Sequence, residues 1–289
     1  LNYNVLFMEL TPQFRKGGSD YLLPRKYAAI HHLSVNAPKW LTVGIFDAIV
    51  FGRQDHFDFL YLNPVIFLRA AEQQAGSPDN ALAGIDLKAN IAHRFQLYGQ
   101  LMLDEFKLSE LRAGNGWWGN KFGLQMGGKY VDAFGVKNLD LQAETNWVRP
   151  FTYSHSDSVA DYTHYNQPLA HPVGANFKEF IGIARYQPAR KWWIEGKLIA
   201  YAQGTDTAGE NFGNNIFLPY TTRAGDYGFH IGSAKEAKCV NASLWLAYEW
   251  KENFFIEASV MIRKYSGQAA ATIPSIGIRW NASRREYDY

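Results

Sequence analysis

Any chemistry in this chain would have to come from histidine, carboxylate and aromatic side chains. Cys239 is the single cysteine, so neither an internal disulfide nor a cysteine-based metal site can form. The densest collection of candidate groups is YTHYNQPLAHPVGANF, residues 162–177, with two histidines, two tyrosines, two asparagines and two prolines. His164 and His171 stand seven apart across Pro168 with Asp161 nearby, a spacing that is not specific to a metal site. SHSDS supplies His155, Asp157 and Ser158, the residue types of a hydrolytic triad. They lie too close in sequence to assemble as one and read as ordinary loop residues. His31 and His32 are neighbours on a strand-like segment, so they point to opposite faces and cannot share one metal. GNGWWGN (114–120) and YAQGTD (201–206) combine rings with amides, which suits either turns at an interface or stacking on a sugar. The expectation is a protein with no catalytic set, no metal site and no cofactor.

The elements around these residues are strands. In FQLYGQLMLDEF, Phe95, Leu97, Gly99, Leu101 and Leu103 share one face, opposite Gln96, Tyr98, Gln100, Met102 and Asp104. FFIEASVMIR sets Phe254, Ile256, Ala258, Val260 and Ile262 against Glu257, Ser259, Met261 and Arg263. Side chains alternate across a strand, so each such segment has an apolar and a polar face. The pattern predicts strands near 3–11, 26–35, 40–51, 81–90, 95–105, 121–130, 139–148, 179–186, 192–201, 239–250, 254–264 and 271–281. Segment 40–51 fits badly because of Asp47, and a bulge or an early exit from the bilayer is expected there. Segment 52–80 is too apolar for a free loop and is expected to form a short strand pair or a helix against the wall or in the lumen.

Every second connection is short (36–39, 91–94, 131–138, 187–191 and 251–253). The others are mostly long (12–25, 52–80, 106–120, 149–178 and 202–238, with 265–270 as the short exception). Trp40, Phe95, Tyr130, Tyr186, Trp192, Trp193, Trp250 and Phe254 flank the short turns, where an interfacial girdle would lie. Together these features predict an all-β, up-and-down antiparallel transmembrane β-barrel with short periplasmic turns and long external loops. About 12 strands are visible and 12–18 are possible, in a single domain over residues 1–289. Residue 1 falls inside a strand-like pattern, so the expectation is a mature chain after signal cleavage or one that lacks its native N-terminal part.

Alternation then assigns the lumen. Asp86, Lys88, Gln100, Asp104, Gln125, Lys129, Gln142, Glu144, Glu195, Lys197, Glu257 and Arg263 are expected to face inward, either lining a pore or plugging it. Ile194, Leu198, Ile256, Val260, Leu97 and Leu101 are expected to face lipid. Lys and Arg total 29 against 27 for Asp and Glu, a near-neutral balance without basic clusters, so nucleic acid is not an expected partner.

The run NWVRPFTYSHSDSVADYTHYNQPLAHPVGANFKEFIG, with GWWGNKFGLQMGGKY before it, resembles the Bacteroidetes members of the Wzi-like capsule-assembly family, including RemB-like gliding-motility barrels. YNQPLAHPVGANF carries most of that resemblance, which extends over most of residues 80 to 265. The resemblance implies a bacterial outer-membrane barrel, not an enzyme, associated with capsule-type surface polysaccharide or a gliding assembly. Its partners would be outer-membrane lipid, surface polysaccharide and other outer-membrane proteins. The alternatives are a porin-like passive channel for small polar solutes and an accessory subunit of a larger outer-membrane complex. Tyr162, His164, Tyr165, Asn166 and His171 are the candidate ligand residues of the external loop, which is either a recognition surface or a structural lid.

Overall fold

The computed structural model describes residues 1–14, 23–36, 38–53, 59–64, 79–207 and 209–281. Strands β1 (Asn2–Leu10), β2 (Arg25–Asn36), β3 (Leu41–Arg53), β4 (Asn80–Ile91), β5 (Phe95–Glu105), β6 (Lys121–Tyr130) and β7 (Leu139–Val148) follow one another in sequence. A small hairpin, β8 (Thr163–His164) and β9 (Gln167–Pro168), interrupts the series. It resumes with β10 (Phe177–Tyr186), β11 (Trp192–Thr205), β12 (Lys235–Lys251), β13 (Phe254–Tyr265) and β14 (Ala271–Trp280). Apart from the hairpin, the strands form one 12-stranded sheet in strict chain order, with antiparallel neighbours throughout and β1 and β14 at its edges. The short connections lie at one end and the long loops at the other, and the only α-helix among the described residues, α1 (Leu108–Ala113), sits in a long loop.

The predicted strands recur with small differences in their ends. The main one is that β11 and β12 run on to Thr205 and back from Lys235, which shortens the loop between them. These two strands pair continuously from Trp192↔Tyr248 to Thr205↔Lys235, so the sheet extends beyond the segment with clear apolar alternation.

The bulge expected near Asp47 is a correction: β3 pairs with β2 and β4 without any register shift. Asp47 is instead accommodated on the outer face beside His31, at 3.7 Å, with both side chains buried. Tyr3 packs edge-on against His31 with ring centroids 5.9 Å apart, and the apolar segment after β3 covers the wall beside the pair. Leu60–Leu62 forms a single 3-10 turn, and Tyr61 packs on Phe51 with ring centroids 4.7 Å apart, alongside Tyr27 and Ile49. The Tyr61 hydroxyl donates to Asp79 at 2.6 Å, Arg53 grips the same carboxylate, and the Tyr3 hydroxyl reaches the Pro64 carbonyl. This part of 52–80 therefore lies on the outer wall; residues 54–58 and 65–78 fall outside the described residues.

Candidate functional site

The long loops do not stand away from the barrel. Residues 149–176 fold as a strap over the inner face of the sheet, and all of 148–155 is buried. Charged side chains of the wall hold it there. Lys26 Nζ donates to the Asp161 carbonyl at 2.6 Å and to Thr163 Oγ1 at 3.0 Å. Lys121 Nζ contacts Asp104 at 2.8 Å, Glu105 at 3.2 Å and the Ser154 carbonyl at 3.1 Å, while Asp104 accepts the Tyr153 N–H at 2.8 Å. A buried charge is tolerated when it is paired and hydrogen-bonded; Lys121 is both, while Lys26 is held by a carbonyl and a hydroxyl.

Two further residues lock the loops to one another. Arg149 donates to the carbonyls of Asn120 (2.7 Å), Trp117 (3.1 Å) and Phe229 (3.0 Å), joining three loops. Asn176, at a left-handed φ of 57°, gives its amide nitrogen to the carbonyls of Gly204, Phe212 and Ser233, and its oxygen accepts the Gly232 N–H. Phe151 and Tyr153 also hold positive φ values of 64° and 75°, backbone states that persist only when surrounding contacts impose them. Burial shifts the strap's titratable groups. It pushes the Asp161 carboxyl up to about 8 and raises the Tyr153 phenol, and it lowers the His155 imidazole.

Beneath the strap lies a cavity of about 580 Å³. Tyr153 and Tyr162 line it from the strap, and His32, Asp86, Lys88, Tyr98, Gln100 and Gln125 line it from the wall. Two cross-strand pairs shape this wall, and each passes over a glycine. His32 lies over Gly44 to reach Asp86 at 2.8 Å. Tyr98 lies over Gly127 to donate to Glu144 at 2.6 Å, with the three residues on one register row. Glu144 also accepts from Gln125 at 3.1 Å and Asn146 at 3.0 Å, and Gln142 donates to the Tyr98 hydroxyl at 2.9 Å.

Register sets Asp86, Lys88, Gln100, Asp104, Gln125, Lys129, Gln142, Glu144, Glu195, Lys197, Glu257 and Arg263 on the face that carries the strap. Away from the cavity these residues form ion pairs, Arg185 with Glu195 at 2.8 Å and Arg279 with Glu257 at 2.7 Å. Ile194, Leu198, Ile256, Val260, Leu97 and Leu101 occupy the opposite face.

The residues of the opening stretch divide in role. Tyr162 is half-buried and stacks on Tyr153 with centroids 6.0 Å apart. His164 Nδ1 accepts the Thr11 N–H at 3.0 Å. Asn166 pairs with both the N–H and the carbonyl of Phe14, at 3.0 and 2.9 Å. His171 accepts the Val173 N–H at Nδ1 and so presents a proton from Nε2 to Glu179 at 2.9 Å. Tyr165 differs: it sits with Asn166 at the tip of the β8–β9 hairpin, both at positive φ as a tight two-residue turn requires, and it is 60% exposed. His164 and His171 thus have separate protein partners, and no metal-binding group of three or more His, Cys, Asp or Glu occurs among the described residues.

In SHSDS, His155 Nδ1 accepts the Asp157 N–H at 3.3 Å, a local turn contact. In GNGWWGN, Trp118 lies between Arg223 (4.3 Å) and Tyr220 (4.7 Å), so it serves the cap. Sequence reasoning missed Lys26, Lys121, Arg149, Asn176 and Asp161 as cap-holding residues. A lysine at the start of an inward-facing run, as Lys26 and Lys121 are in the predicted strands 26–35 and 121–130, is a signal that could have marked both.

No family model matches the chain, and no curated protein matches it. Among solved structures it is similar to Wzi of Escherichia coli, described as an outer-membrane protein involved in group 1 capsule assembly and a carbohydrate-binding β-barrel. The TM-score is 0.63 at 12% identity, over 96% of this chain and 55% of that one, so the chain spans about half the length of Wzi. Matches to the siderophore receptor PirA (TM-score 0.47, 12% identity, 97% and 41% covered) and the channel DcaP (0.42, 12%, 95% and 70%), both of Acinetobacter baumannii, are weaker. The fold is that of a bacterial outer-membrane antiparallel β-barrel.

Proposed function

We propose that this protein is a non-enzymatic outer-membrane barrel that engages cell-surface polysaccharide on a fixed external cap. The observation that carries this reading is the anchoring of the cap. Lys26, Lys121, Arg149 and Asn176 bind loop carbonyls from buried positions, so the long loops form a built surface across the inner face. Such anchoring argues against a passive channel, since clearing the lumen would take the Asp161 carbonyl and Thr163 hydroxyl from buried Lys26 and break the Lys121–Ser154 and Asp104–Tyr153 hydrogen bonds, at about 1–3 kcal/mol for each buried group left unsatisfied. The Wzi fold supports the choice of polysaccharide, and two exposed rings supply a means. Tyr165 (60% exposed, its ring packed on one side against Phe14) and Tyr227 (55%) lie in the long loops, where an exposed ring offers area for a sugar to stack on. The preference for capsule-type polysaccharide over a gliding assembly rests on that fold alone.

The test is glycan binding by the protein in lipid nanodiscs, using polysaccharide extracted from the surface of its native cells. Tyr165→Ala with Tyr227→Ala should lower binding at least tenfold while heat-modifiable mobility on gels stays unchanged. Full binding by that variant would refute the assigned surface.

A further inference from the structure

The outer wall carries a recess that neither the cap nor the cavity uses. On the row nearest the long loops, register aligns Trp147, Lys178, Ala202 and Lys238; on the next row it aligns Thr145, Phe180, Ala200 and Val240. All of these side chains point away from the strap. Ala200 and Ala202 have nothing longer than a methyl group, whereas Trp147, Phe180 and Val240 on the flanking strands are each more than 40% exposed. The result is a trough of about 370 Å³ with an alanine floor and apolar walls.

Its loop-side end is basic. Lys178 and Lys238 flank Ala202 one strand away on either side, about 10 Å apart at the backbone. Lys264, paired in register with Val240, adds a third cation on the same face. The one carboxylate among them, Glu236, contacts Lys238 at 2.8 Å and leaves the group with a surplus of positive charge. Below Phe180, toward the short turns, the depression resumes over Gly128, Ala143, Gly182 and Gly196, with a volume of about 680 Å³.

From this combination we infer a binding site for an anionic, phosphate-bearing lipid of the outer leaflet. The phosphate sits between Lys178 and Lys238, and one acyl chain lies over Ala202 and Ala200 into the lower depression. Charge complementarity selects the occupant. Flexible ammonium groups meet a phosphate as point charges, and a basic rim at the headgroup level attracts anionic lipid. A hydrocarbon chain in the trough also recovers the dispersion contacts that the missing side chains leave open.

Native mass spectrometry of the protein in nanodiscs of mixed phosphatidylglycerol and phosphatidylcholine, with identical acyl chains, tests this. The wild type should retain phosphatidylglycerol preferentially. Lys178→Ala with Lys238→Ala should reduce that preference about thirtyfold, and Lys178→Arg with Lys238→Arg should preserve most of it. Ala202→Phe, which fills the trough and leaves the charge unaltered, should abolish retention as well. An unchanged preference in the double alanine variant, or in Ala202→Phe, would overturn the site. So would displacement of the bound lipid by millimolar inorganic phosphate alone, which would indicate a simple anion site.

Discussion

Gly127 matters because it has no side chain. The Tyr98 ring crosses β6 over that position to reach Glu144, and an added Cβ would meet the ring at its hydroxyl end. Gly127→Ala should therefore cost about 1–3 kcal/mol in urea unfolding from detergent. Adding Tyr98→Ala to it should cost less than the sum of the two single changes, since the clash then disappears. Asp161 makes a pH prediction at the same scale. Its carboxyl is held at about 8 by burial, with His155 N–H bonded to it and Lys26, Lys121 and Asp157 nearby. The folded pKa stands above the free-chain value of about 4. The stabilisation from the protonated group is thus complete below that value and is lost as pH rises through about 8. Hydrogen-exchange protection over 149–176, after correction for the intrinsic base-catalysed rate, should fall between about pH 4 and pH 8 and level off above that, and Asp161→Asn should flatten the response. These roles were not legible in the sequence, because Arg149 and Asn176 bind carbonyls of distant loops that no residue pattern marks. The opposite facing of His31 and His32 was legible from period-2 geometry, whereas their partners Asp47 and Asp86 were not, since they depend on the register of neighbouring strands.

Strand order and facing follow from alternation, and all twelve sheet strands lie close to the segments it picked out. Ile256, outward-facing and 44% exposed, should tolerate Ile256→Val easily, but Ile256→Arg should cost about 2–4 kcal/mol near the bilayer midplane. The same change at the inward Glu257 should be far milder, and equal costs at both positions would mean the faces are reversed. Alternation fails at β3 for a physical reason. It presumes that the outward face meets one uniform solvent, whereas Tyr61 and its neighbours cover the wall beside Asp47. Nothing local to β3 announces that cover.

For the whole molecule, sidedness and closure are the consequences that matter. Cysteines placed at Asp226 and Glu252, in a long loop and a short turn, should label from opposite sides of the membrane in intact cells. The barrel class was legible from connection lengths and turn-adjacent aromatics. The strap across the inner face was not, because the same inward polar residues suit a pore or a plug until their partners are known. Those partners are the strap and the other long loops, fixed by Lys26, Lys121, Arg149 and Asn176. Single-channel recording in planar bilayers tests this most directly. The fixed cap predicts a flat current with no steady steps for the wild type, and stepwise conductance once Lys121→Ala and Arg149→Ala together release the strap. Steady ohmic steps from the unaltered protein would contradict a closed, binding barrel.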